Sequence, residues 1–331
     1  MGLLNFSVST TQTTKQTKYL SIAALFYFGG FAVALLAAPD VIFGPPSPLA
    51  YWTEVDEAAT YAAQFCGDSA QFYSARFCAI RCNPLTLHTH PLRWFFRMFG
   101  NVLLWQSVAP FWFGFPTVMV AQLIFVGLAI LTPLFVHASF FVPTAVPMMW
   151  IPTLIMNTAF LAWAGYALFV DKEAKNKVFW FKVPRLYEKG PADWLCWATA
   201  AVYCFFGITL YINGTLFWGP DSPFCYFTIE SPTSLWAGRA LGGSMLALFL
   251  LPYYSSLPYE KLSKLLLFWH TTSLPLFLYA AFGLDISGPG DKALLPLNLW
   301  YTQIPIAVAL ILLAAKVCAR LSRDKTGVEL F

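Results

Sequence analysis

Cys66, Cys78, Cys82, His88 and His90 fall within a stretch of 25 residues, and thiolates and imidazoles are the side chains that hold zinc. Their spacing matches no common zinc finger. The CxxC pair is missing, and the histidines stand one residue apart just ahead of Pro91. The pattern speaks against a metal site. Disulfide chemistry suits the cysteines better, because Cys225 joins them to give four thiols on one side of the topology derived below. Cys78 and Cys82 lie one helical turn apart, so a bridge between them would strain a helix, and pairing to Cys66 or Cys225 is more natural. The connectivity stays open. The same two thiols are the only basis for an intramembrane thiol–quinone enzyme.

Two further pairs carry polar chemistry inside apolar sequence. Arg97 and Arg239 each sit about five residues into an apolar run. There a guanidinium can snorkel to the interface and bind an anion or a lipid headgroup, or tie the helix end to an outer loop. His137 and His270 lie deeper in two other runs. A neutral imidazole at that depth is satisfied by a hydroxyl or carbonyl of a neighbouring helix, or serves as axial ligand to a haem iron or a chlorophyll magnesium. A bound lipid or chlorophyll-type pigment is the cofactor class these residues suggest.

These groups are positioned by a repeat. Trp94, Arg97, Gly100 and Pro110 recur as Trp236, Arg239, Gly242 and Pro252, and Pro133-Leu134-Phe135 recurs as Pro275-Leu276-Phe277, all displaced by 142 positions. Gly44-Pro45-Pro46-Ser47-Pro48 recurs as Gly219-Pro220-Asp221-Ser222-Pro223 at a larger displacement, so the first copy carries an insertion. The 142-position displacement aligns His270 with Leu128 and His137 with Tyr279. A symmetric bis-histidine haem is therefore not expected.

Composition sets the solvent. Apolar residues make up 58% of the chain and charged residues 11%, against roughly 25% charged in a soluble domain. Eight apolar runs approach the roughly 20 residues that cross a hydrocarbon core: about 19–38, 92–112, 117–141, 147–170, 191–213, 233–253, 260–282 and 296–319. Backbone amides in lipid must be paired internally, so each run is expected to be a helix. The expected architecture is an all-α integral membrane protein with eight transmembrane helices in two tandem, parallel four-helix repeats. A polar tail covers 1–18, the first repeat 19–170, a basic linker 171–190, the second repeat 191–319 and a C-terminal tail 320–331. Residues 49–91 form an outer-face insertion. There Thr53 with Asp56, and Asp68 with Gln71, resemble capping boxes of short helices, giving a helical cap on the non-terminal face. With eight spans, 14 of the 20 Lys and Arg lie on the terminal face. The positive-inside rule places that face toward cytoplasm, matrix or stroma.

No HExxH, GxSxG or P-loop signature occurs. The expected role is a non-enzymatic accessory or scaffold subunit of a larger membrane complex, in an energy-converting organelle membrane. Its expected partners are the bilayer and other integral subunits, with no nucleic acid. The alternatives are a small-molecule transporter or channel with its path between the repeats, and the thiol–quinone enzyme.

Overall fold

The computed structural model describes residues 13–37, 50–52, 89–143, 145–175, 191–213, 216, 232–255, 259–278, 281 and 297–326. Among them the protein is nearly all helix, with no strand, and Trp52 and Ala145 make one isolated bridge. The helices are α1 (Lys15–Ala37), α2 (Thr89–Ser107), α3 (Ala109–Trp112), α4 (Thr117–Phe140), α5 (Pro147–Gly165), α6 (Lys172–Lys175), α7 (Pro191–Asn213), α8 (Pro232–Phe249), α9 (Leu251–Tyr254), α10 (Tyr259–Leu278) and α11 (Leu297–Thr326). The last turn of α5 widens into a π-helix over Tyr166–Val170.

Helix α1 starts four residues before the expected span, and Thr14 is the reason. Its hydroxyl accepts from the Thr17 amide at 3.3 Å, while the Thr14 amide donates to the Thr17 hydroxyl at 3.1 Å. This is a capping box with threonine in place of glutamate. Thr17 also meets the Thr117 hydroxyl at 2.7 Å, tying the first turn of α1 to the first turn of α4.

The run expected at 92–112 is not one helix. α2 stops at Ser107, and α3 begins with Pro110 in its first turn. Proline has no amide to donate and crowds the carbonyl four residues back. The run at 233–253 breaks in the same way, with α8 ending at Phe249 and Pro252 in the first turn of α9. α2 and α8 end 142 positions apart, as do the starts of α3 and α9 and of α4 and α10.

Packing follows the same correspondence. α1 lies along α2, and α7 along α8. α4 lies along α5, and α10 along α11. α2 and α8 meet in the middle, with α8 also against α4 and α2 against α10. Glycine permits the closest approaches. A Cβ on Gly100 would stand 2.7 Å from Leu35 Cβ and 3.1 Å from the Ala32 carbonyl. A Cβ on Gly242 would stand 2.6 Å from the Gly207 carbonyl and 2.9 Å from Leu210 Cβ. Ala32 and Gly207 are 175 positions apart, as are Leu35 and Leu210, and as are Gly44 and Gly219.

Five helical segments are long and apolar enough to cross a membrane: Lys15–Ala37, Thr117–Phe140, Pro147–Val170, Pro191–Asn213 and Gln303–Arg323. α2, α8 and α10 are not among them. Those three face other helices and carry the polar groups that join them. Asn101 donates to the Ser273 hydroxyl at 3.1 Å, Trp105 to the Thr272 hydroxyl at 2.9 Å, and Gln106 to the Ser244 carbonyl at 2.8 Å. Tyr211 donates to the Ile130 carbonyl at 2.7 Å and Trp236 to the Leu134 carbonyl at 3.0 Å, joining α7 and α8 to α4.

Candidate functional site

Two adjoining cavities, of about 30 and 40 Å³, lie in the first half between α1, α2 and α4. Phe28, Leu103, Leu128 and Leu131 line both. The smaller one continues past Ser107 and Gly127. The larger one continues toward Tyr51, Trp150, Asn157 and Trp236. Its aromatic end is tightly built. Trp150 and Trp236 have ring centroids 4.5 Å apart, and Trp52 lies 5.1 Å from Trp150 and 5.5 Å from Trp236. Trp236, the repeated tryptophan of the second half, thus closes a cavity of the first.

One hydrogen-bonding chain crosses this end. Thr153 donates to the Met149 carbonyl at 3.0 Å, which leaves its oxygen to accept from the Tyr51 hydroxyl at 2.9 Å. Burial raises the Tyr51 phenol above its ordinary value, so it stays protonated and able to donate at neutral pH. One turn further along α5, Asn157 is 1% exposed and its Oδ1 has no hydrogen-bond partner. Buried amides are normally paired, so Asn157 is an exception among the described residues.

The second half fills the corresponding space. Phe249 and Trp269 stand 142 positions after Ser107 and Gly127. Both are buried, with ring centroids 5.3 Å apart, and Tyr203 stacks on Phe249 at 4.6 Å. His270 stands where the first half has Leu128. It is fully buried, with Nδ1 3.2 Å from the Tyr203 hydroxyl and Nε2 3.4 Å from the Thr199 hydroxyl. Both ring nitrogens therefore face hydroxyl partners on α7. His137 lies elsewhere, exposed in the last turn of α4 and stacked on Phe141 at 6.2 Å.

Arg97 and Arg239 sit half-buried in α2 and α8. Arg97 has an interaction partner, and among the described residues the buried Nε of Arg239 has no hydrogen bond. Cys196, Cys204 and Cys318 are free thiols within helices, and Cys318 meets the Ser263 hydroxyl at 3.5 Å. Cys66, Cys78, Cys82, Cys225 and His88 lie outside the described residues, and His90 falls in the first turn of α2. The structure thus brings His270 to hydroxyl partners and leaves His137 apart from it.

Sequence reasoning did not single out Asn157, Gly127 or Ser107. A signal was present for the last two: the 142-position alignment sets Gly127 against Trp269 and Ser107 against Phe249, a small residue against a large ring each time. Comparison with family models, with curated proteins and with solved structures finds no match to this chain.

Proposed function

We propose that the chain is an eight-span membrane protein of two tandem, parallel four-helix units that serves as a non-catalytic accessory subunit of a larger membrane complex. Support for eight spans comes from burial. α8 is buried almost throughout from Trp236 to Phe249, and a helix surrounded by protein can be less apolar than one facing lipid. Support for the duplication comes from the paired helix breaks at Pro110 and Pro252 and the paired close approaches at Gly100 and Gly242.

The subunit role is carried by one observation. Polar side chains at membrane depth join helices to one another, and apolar faces stay exposed on α1, α5, α7 and α11, that of α5 as a stripe of Met148, Ile151, Ile155 and Met156. The methionines in such a stripe adapt well to an apolar partner helix. A native gel of gently solubilised membranes, with mass spectrometry on the band, tests this. The chain should migrate within a large complex, and Ile155→Trp should release it without loss of helix, since lipid accommodates the ring and a docked helix does not. Migration of the unaltered chain at monomer mass contradicts the role. A second reading, headgroup or anion binding in the outer leaflet, is favoured at Arg239, whose buried Nε lacks a hydrogen bond among the described residues.

A further inference from the structure

We infer that Arg239 and His137 form a seat for the phosphate of an anionic phospholipid, at the mouth of the seam where α4 and α7 meet over α8. This rests on the second reading above, an anion at Arg239, and adds the class of that anion. The seam is built in layers. From Trp236 to Phe249 only Arg239 and Leu246 are not buried, so α8 reaches the surface along one line, at positions seven apart. Gly243 lies on that line between them. A Cβ there would stand 3.0 Å from Ile130 Cγ2 and 3.1 Å from the Tyr211 ring, so α4 and α7 close over it. The Tyr211 hydroxyl, donating to the Ile130 carbonyl at 2.7 Å, latches the two helices together. Arg239 stands one turn nearer the start of α8, just beyond this closure.

The Arg239 side chain is aimed toward the membrane surface. Side chains on a helix lean toward its N-terminus, and the start of α8 lies beside the end of α4, where Trp236 donates to the Leu134 carbonyl. The charge of Arg239 accordingly reaches His137, three residues beyond Leu134. Its Nε is sealed from solvent, but the two terminal nitrogens stay accessible, and among the described residues the guanidinium makes no hydrogen bond or ion pair. The matching Arg97 already has a partner. A guanidinium fork suits two oxygens of a phosphate, and the exposed imidazole of His137 supplies a further N–H. No carboxylate stands among the described residues of the seam to pair with an ammonium, which favours a headgroup of net negative charge. Pro133 and Ala129 are exposed one and two turns from His137 along α4, an apolar bed for an acyl chain beneath the phosphate. A lipid therefore fits this seat better than free phosphate.

The test is native mass spectrometry of the full chain, delipidated in detergent and given equal amounts of phosphatidylglycerol and phosphatidylcholine with matched acyl chains. The unaltered protein should retain phosphatidylglycerol preferentially. Arg239→Gln should lower that retention about tenfold, as expected for the loss of a charge-assisted hydrogen bond. Arg239→Lys keeps the charge without the fork and should fall between. Lys316→Gln, which removes an exposed cation from α11, should change nothing. Equal retention of the two lipids by the unaltered protein overturns the inference, as does a preference that falls as far in Lys316→Gln. A preference that survives Arg239→Gln removes the anion reading along with it. Displacement of the lipid by millimolar inorganic phosphate would leave an anion at Arg239 and overturn the lipid alone. Should Arg239→Gln fail to fold, phosphatidylglycerol with a headgroup diazirine decides on the unaltered chain. Label should collect at His137, Phe140 and Tyr211, and label spread over exposed residues elsewhere, such as Phe26 and Leu312, overturns the inference.

Discussion

The first and second halves of the molecule share helix breaks, pairings and close approaches, yet one is hollow where the other is filled. In the first half Ala24, Phe28, Ser107, Gly127 and Leu128 surround open space. In the second, Thr199, Tyr203, Phe249, Trp269 and His270 hold the corresponding positions and pack without a gap between Tyr203, Phe249 and Trp269. The lesson is physical. The close approaches at Gly100 and Gly242 leave no room for a Cβ, so both seams need glycine at that position. The interior depends on side-chain volume and hydrogen bonding, and those can change in a coordinated set without disturbing the frame. His270 has Tyr203 and Thr199 as hydroxyl partners, and Leu128, Phe28 and Ala24 stand at the corresponding positions.

Three sets of substitutions break or sharpen this comparison, in falling order of effect. Emptying the filled half should cost most. Trp269→Ala removes a fully buried indole, and such truncations cost about 3–5 kcal/mol; a titration of unfolding in mixed micelles should show the loss. The frame comes next. Gly242→Ala pushes a methyl to 2.6 Å from the Gly207 carbonyl, an overpacking of about 1–3 kcal/mol or more. Gly127→Ala, whose added carbon would meet nothing closer than Ala247 Cβ at 3.7 Å, should leave the same transition within about 0.5 kcal/mol. The polar set comes last. His270→Leu strands the Tyr203 and Thr199 hydroxyls and should cost about 1–3 kcal/mol. Adding Tyr203→Phe and Thr199→Ala, which reproduces the first half's Leu128, Phe28 and Ala24, should recover most of that loss. A triple variant no better than the single one would mean that the two interiors are not interchangeable.

Much of the frame could be read from the residues. The repeated glycines fall at the close approaches, and α7 spans 191–213 as its apolar run indicated. Other features needed the third dimension. Thr14 caps α1 with Thr17, which placed Lys15 and Lys18 in a helix instead of a tail; a threonine in the fourth box position is a weak signal. Pro110 sits inside a continuous apolar run, so hydropathy alone carried the helix through it, and the break at Val108 appears only in the backbone. Asn157 gave no sequence signal, because one amide in an apolar span looks the same whether it is paired or open. Its burial depends on neighbours from elsewhere in the chain, which one span's sequence does not show.

The orientation of the two halves in the membrane is the point on which the account rests, and one labelling experiment tests it. Thr13→Cys and Glu173→Cys, each in a chain whose seven native cysteines are serine, would be treated with an impermeant maleimide in sealed, oriented vesicles. Eight spans put four crossings between positions 13 and 173, so both cysteines should react from the same side. If only the five strongly apolar segments cross, three crossings separate them, and reaction from opposite sides would contradict the account.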